Sequence, residues 1–131
     1  MQKFFAEYFE RLQDCHNTIL RQVEGLTPTA LDWTPGPDMN SISVLVFHLT
    51  GAARFWIGDV AAQEPSNRVR DEEFKVKGLD SDSLKKRIED TLEYSRGVLE
   101  KMSLQDLDRV CTLPDGREFT VAWALLHALE H

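Results

Sequence analysis

Four histidines, His16, His48, His127 and His131, are the side chains of this sequence best suited to chemistry. Two of them lie in "FTVAWALLHALEH", four positions apart. On a helix that spacing puts both rings on one face, a turn apart, so His127 and His131 can point at one metal ion. The spacing alone is weak evidence. What strengthens it is the apolar run around the pair, because an imidazole buried there needs a partner. His48, in "SVLVFHLTGAARFW", has Val44, Leu45, Ala52 and Phe55 at helical spacing, so it faces the interior. One histidine from one helix and a pair from another make a three-nitrogen site with an open position. That is the arrangement of catalytic rather than structural zinc, and a metal so held lowers the pKa of bound water or thiol.

A lone histidine on an apolar face is more often a satisfied core residue than a ligand, and that reading stays open for each. His16, among Phe9, Leu12, Ile19 and Leu20, is read as a core histidine or as a partner orienting a ligand. Glu130 points about 100° away from its neighbour His131 and is read as a solvated or orienting carboxylate. "HALEH" also fits H-x-x-E-H, the inverted-zincin peptidase pattern, but those enzymes are large and need a further acidic ligand downstream.

The elements that must position these rings are helices. Residues 2–25, 41–63, 82–102 and 120 to the end each carry a helical apolar period. Gly25 marks the stop of the first. Asn40 or Ser41, Asp80 or Ser81, and Thr120 supply caps for the others. The second helix is apolar on most sides and should be the most buried. "LTPTALDWTPGPDMNS" is a connection whose Leu26, Leu31 and Trp33 pack on the body. "SLQDLDR" reads as a short turn, and "VCTLPDGREFT" as a hairpin around Pro114-Asp115-Gly116. "RVRDEEFKVK" reads as a solvated loop. The sum is an all-α, four-helix bundle forming one domain over 1–131. Trp33, Trp56 and Trp123 are candidates to line a pocket, with ordinary core packing the plainer reading. Cys111, with only Arg109 near it, reads as inert.

Composition bounds the class. The chain has 131 residues and a formal charge of −7, which argues against nucleic acid and against adhesion to anionic membranes. No run of about 18 uncharged apolar residues occurs, so no membrane span is expected. The N-terminal stretch is charged throughout, unlike a secretory signal. Two distant cysteines without a CxxC fit a reducing cytoplasm.

The helix lengths do not match. The first spans roughly 36 Å and the fourth, with about 12 residues, roughly 18 Å. A half-length fourth helix without a C-cap leads to the expectation that the natural chain continues past His131.

The sequence resembles the DinB-like superfamily over nearly its whole length. The resemblance rests on "LDWTPGPDMNSISVLVFHLTGAARFWIGD" and "DGREFTVAWALLHALEH". In the first, a Leu-x-Trp-x-Pro run and an Asn-Ser cap precede a histidine and an aromatic; the second resembles the family's fourth-helix motif. The resemblance implies a four-helix bundle of the DinB type that binds a divalent metal, often zinc or nickel, through one histidine on helix 2 and two on helix 4. His48 and His131 carry over as ligands. His127 aligns with the outermost of three fourth-helix histidines, so it carries over as a neighbour whose geometry lets it substitute; the third would lie four residues beyond His131. Relatives of this kind include thiol-dependent S-transferases and isomerases, implying a low-molecular-weight thiol as co-substrate, a small-molecule substrate and a homodimer. The alternative is a non-catalytic metal-binding or stress-associated dimeric bundle. In a third reading, the histidines belong only to the core.

Overall fold

The computed structural model describes residues 1–131. Its elements are helix α1 (Lys3–Val23), a single-turn helix α2 (Pro28–Asp32), α3 (Ile42–Arg54) continuing as a π-helical stretch (Phe55–Ala62), a 3₁₀ helix (Arg70–Lys75), α4 (Ser81–Lys101), a 3₁₀ helix (Leu104–Asp108), a hairpin β1 (Val110–Thr112) and β2 (Glu118–Thr120), and α5 (Val121–Glu130). α1, α3 with its π-helical extension, α4 and α5 form the four-helix bundle. α4 packs on both α1 and α3, and α5 packs on the π-helical stretch.

Each main helix after α1 starts where a side chain satisfies an orphan N–H. The oxygens of Ser41, Asp80 and Thr120 accept from Val44 (3.1 Å), Ser83 (2.8 Å) and Trp123 (3.1 Å). α1 ends against Gly25, whose φ of +76° is the left-handed exit that glycine takes without a Cβ clash. The connection after α1 holds a helical turn that the Pro-rich composition hid. Thr27 caps it and Pro28 opens it, at a first-turn position whose N–H would have no intrahelical partner. Leu31 there is fully buried, whereas Trp33 is 66% exposed. The two strands pair antiparallel with Cys111 opposite Phe119. Cys111 is buried behind Arg109, which reaches across to the Ala61 carbonyl at 2.7 Å.

The core runs through all four helices and includes Phe5, Leu12, Ile57, Leu84, Ile88, Leu99 and Leu125, each essentially inaccessible. Removing one such side chain from water contributes about 1.5–3 kcal/mol. Tyr8 Oη donates to the Leu125 carbonyl at 2.6 Å and ties α1 to α5. Residues 42–62 have the length and hydropathy of a membrane span, but 61% of that apolar window is buried within the bundle. The span also carries an internal ion pair, Arg54 Nη1 to Asp59 Oδ1 at 3.0 Å. Those are features of a core helix.

The π-helical stretch was not legible as such. Gly58 sits where a Cβ would meet the Arg54 guanidinium and, at 2.6 Å, the Tyr94 hydroxyl. The missing side chain lets Arg54 fold back over the helix and lie 4.0 Å from the Tyr94 ring. The stretch ends at Gln63 in the left-handed region, φ 58°.

Candidate metal centre

His48 projects from α3 toward the end of α5. Its Nε2 lies 2.9 Å from Nε2 of His131, and the two rings are 4.8 Å apart. The other ring nitrogen is held from behind, where His48 Nδ1 donates to Glu73 Oε1 at 3.1 Å. A carboxylate only accepts, so the hydrogen sits on Nδ1 and the Nε2 lone pair of a neutral ring faces His131. Ligating histidines are oriented by this same Nδ1–carboxylate contact.

Glu73 is itself fixed. Arg68 grips it in a fork, Nε to Oε2 at 2.7 Å and Nη2 to Oε1 at 2.8 Å. The Glu73 side chain is 7% exposed and that of Arg68 15%. Burial alone would push the Glu73 carboxyl up. Hydrogen bonds from Arg68 and His48, reinforced by their charge, hold it below the ordinary carboxylate value. Room for the carboxylate comes from Gly51, one turn after His48, where a Cβ would collide with Glu73 Oε2. Phe74 covers the His48 ring at 5.2 Å.

The sequence reading of "RVRDEEFKVK" as a solvated loop is therefore corrected. Residues 70–75 form a 3₁₀ turn that inserts Glu73, 5% exposed, beneath α3. A charge-rich run has no apolar period to betray one inward carboxylate. The signal available was on the other side: a glycine inside an apolar helix, one turn from an inward histidine, marks a close approach.

His127 sits apart from this pair. Its ring stacks on Trp123 (4.7 Å, 12°) and meets the Trp56 ring edge-on at 4.8 Å. It lies 5.4 Å, centroid to centroid, from His131. Of the tryptophans, Trp56 and Trp123 thus form an aromatic cluster with Phe119 around His127. No three His, Cys, Asp or Glu side chains gather about a common point. Glu130 is exposed. His16 is buried in α1; its Nδ1 donates to the Leu12 carbonyl at 2.9 Å and its Nε2 has no partner. Burial holds the His16 imidazole below its ordinary pKa.

The donor set fits a divalent first-row ion. Two nitrogens each about 2.0–2.1 Å from one ion stand about 2.9 Å apart at a right angle and about 3.3–3.4 Å apart at the tetrahedral angle. The 2.9 Å separation of the His48 and His131 Nε2 atoms spans a right-angled pair directly, reaches the tetrahedral span with a few tenths of an ångström of opening, and equally fits a single shared hydrogen. Partial desolvation, followed by the neighbouring imidazoles of His48 and His127 and the cations Arg68 and Arg70, holds His131 below the usual imidazole value, which favours the neutral form that ligates. Beside the pair opens a cleft of about 360 Å³, walled by Ile19 and Val23 of α1 and by Ile42, Leu45 and Leu49 of α3, with Gln22 as its polar group. A mostly apolar cleft with few polar groups suits a small organic ligand.

Comparison with known proteins agrees with this architecture. No curated protein matches the sequence. A conserved protein from Enterococcus faecalis has the same fold, with a TM-score of 0.76 at 15% identity over 99% of this chain and 89% of that one. The mycothiol-dependent maleylpyruvate isomerase superposes with a TM-score of 0.69 at 16% identity over 99% of this chain. A histidine-to-alanine variant of that isomerase gives a TM-score of 0.70 at 15% identity over 98% of this chain. The chain spans 60% and 59% of the length of those two isomerase chains. The DinB superfamily model matches residues 11–131. The chain belongs to the DinB superfamily.

Proposed function

We propose that this chain binds one divalent metal ion, zinc or nickel, between His48 and His131, and acts as a metal- and thiol-dependent transferase or isomerase on a small electrophile. The observation that carries the reading is the convergence of two Nε2 atoms at 2.9 Å, with the rear nitrogen of one held by a buried, Arg-clamped carboxylate. That clamp fixes the His48 tautomer and ring plane before any ligand arrives. His127 is the next imidazole and the reserve ligand of the set, one helical turn from His131.

The chain's own residues supply three things. Glu73 keeps the His48 proton on Nδ1, so its Nε2 stays a donor of electrons. The low basicity of His131 keeps its lone pair free near neutral pH. The side chains of Ile19, Leu45 and Leu49 give the cleft beside the site an apolar wall against which a small organic ligand can pack. A bound divalent ion supplies the positive charge that lowers the pKa of a small thiol and stabilises its thiolate as a nucleophile. The similarity to a mycothiol-dependent isomerase supports a thiol as co-substrate.

A second reading is a non-catalytic metal-binding bundle. The observation favouring it is that two nitrogens converge, where catalytic zinc usually has three protein ligands. Both readings take the protein as a cytoplasmic homodimer. A panel of low-molecular-weight thiols, each offered with an electrophilic acceptor such as a maleyl or monochlorobimane group, separates them. Metal-dependent turnover that His48→Ala removes supports the enzyme; binding of metal without turnover on any thiol supports the second reading.

A further inference from the structure

A second cavity, of about 870 Å³, opens behind Glu73, between α3, α4 and residues 66–76. Four cationic side chains line it: Arg54, Arg68, Lys86 and Arg87. Three of them are matched within the chain. Arg54 pairs with Asp59 at 3.0 Å, Arg68 with Glu73 at 2.7 Å, and Lys86 with Asp90 at 2.6 Å. Of the other two carboxylates on the cavity wall, Glu73 is held by Arg68, and Glu72 pairs outward with Lys75 at 3.1 Å.

Arg87 is the exception. Its Nε donates to Thr50 Oγ1 at 2.7 Å, its Nη2 reaches the Phe47 carbonyl at 3.5 Å, and its guanidinium lies 3.9 Å from the centroid of the Phe47 ring. Every one of these partners is neutral, and no hydrogen bond leaves Nη1. Burial weakens the hold of this guanidinium on its proton, as expected for a partly desolvated cation with no anion in contact. Packing and Thr50 fix one edge of the fork, which leaves its Nη edge as a preset donor pair. That geometry matches a carboxylate or phosphate. The cavity has the volume of a small-molecule site.

We propose that this cavity binds a small organic anion, its carboxylate or phosphate oxygens taking the free Nη edge of Arg87. The site is separate from the His48–His131 centre, with Gly51, Glu73 and Arg68 forming the wall between them. It stands whether or not that centre holds a metal.

The test is a calorimetric or NMR titration of the full chain with sodium phosphate and, separately, sodium succinate, at constant ionic strength. Saturable binding of at least one anion is expected. Success with phosphate assigns a phosphoryl group and success with succinate a carboxylate. Arg87→Met keeps the stem over Phe47 and should weaken binding roughly tenfold or more, with Arg87→Lys between the two. Asp90→Asn releases the exposed Lys86 at the cavity edge and should strengthen binding a few-fold, a gain that misfolding cannot produce. Failure of both anions to saturate, equal affinity in Arg87→Met and the unaltered chain, or no gain in Asp90→Asn would each overturn the proposal.

Discussion

Glu73 Oε1 and His48 Nδ1 stand 3.1 Å apart across 25 residues of sequence, and this contact sets which nitrogen of His48 faces His131. Replacing Glu73 with Gln keeps the shape and removes the charge. An amide can offer either an acceptor or a donor to Nδ1, so the tautomer is no longer fixed. Metal affinity should fall about 10- to 100-fold, the usual effect of losing a partner behind a ligating histidine. Competition with a chromophoric chelator measures it. Glu73→Ala goes further and leaves Arg68 buried without its carboxylate, which should cost roughly 3–5 kcal/mol in chemical denaturation.

Gly51→Ala separates steric from electrostatic control of the same contact. Alanine is a better helix former than glycine by about 1 kcal/mol. The new methyl occupies the place of Glu73 Oε2, and the carboxylate is the movable end of its side chain. The fold should therefore survive, with a stability loss below about 2 kcal/mol because the helix gain offsets part of the lost fork. Metal affinity should fall as in Glu73→Gln. Unchanged affinity would show that His48 needs no orienting carboxylate.

Stability should fall with acid in two stages. His16 is buried neutral with a depressed pKa, so the unfolded chain takes up its proton first as pH drops below the ordinary value of 6.5. Its contribution is intact above that value and lost progressively below it. Glu73 is depressed relative to the ordinary 4.5, so the stability it lends is present above that value and disappears as pH falls through its lowered folded pKa. Urea midpoints at pH 7.5, 5.5 and 4 follow both stages. His16→Leu should remove the His16 share of the loss between 7.5 and 5.5, leaving the share of the depressed His131, and leave the later stage in place. A wild-type midpoint that is flat from 7.5 to 5.5 would contradict the first assignment.

Much of the scaffold was legible because caps and periodicity are local. Ser41, Asp80, Thr120 and Gly25 mark helix ends by chemistry carried within a few residues, and the structure uses each of them. The Pro114-Asp115-Gly116 turn read as a hairpin for the same reason, and β1 and β2 flank it. The inward face of His48 followed from its apolar neighbours, whereas the choice of His131 over His127 as its partner came from the family resemblance. What stayed hidden depends on distant partners. Glu73 looks like its solvated neighbours Asp71 and Glu72 until Arg68 and Gly51 are brought to it. In the π-helical stretch Arg54 lies over Gly58 and against Tyr94, a residue of α4 distant in sequence. His127 gave the same local signal as His131, and only the placement of Trp56 and Trp123 draws it into an aromatic stack.

That difference between two histidines four residues apart gives the most direct test. Zinc and nickel are titrated into the full chain against a chromophoric competitor, alongside His48→Ala, His131→Ala and His127→Ala. A centre built on His48 and His131 predicts one ion per chain in the unaltered protein. Either of the first two changes should cost at least about 100-fold in affinity, and His127→Ala at most a few-fold. The absence of stoichiometric binding, or affinity that is indifferent to His48→Ala in a chain that still folds, would contradict a metal centre at this site.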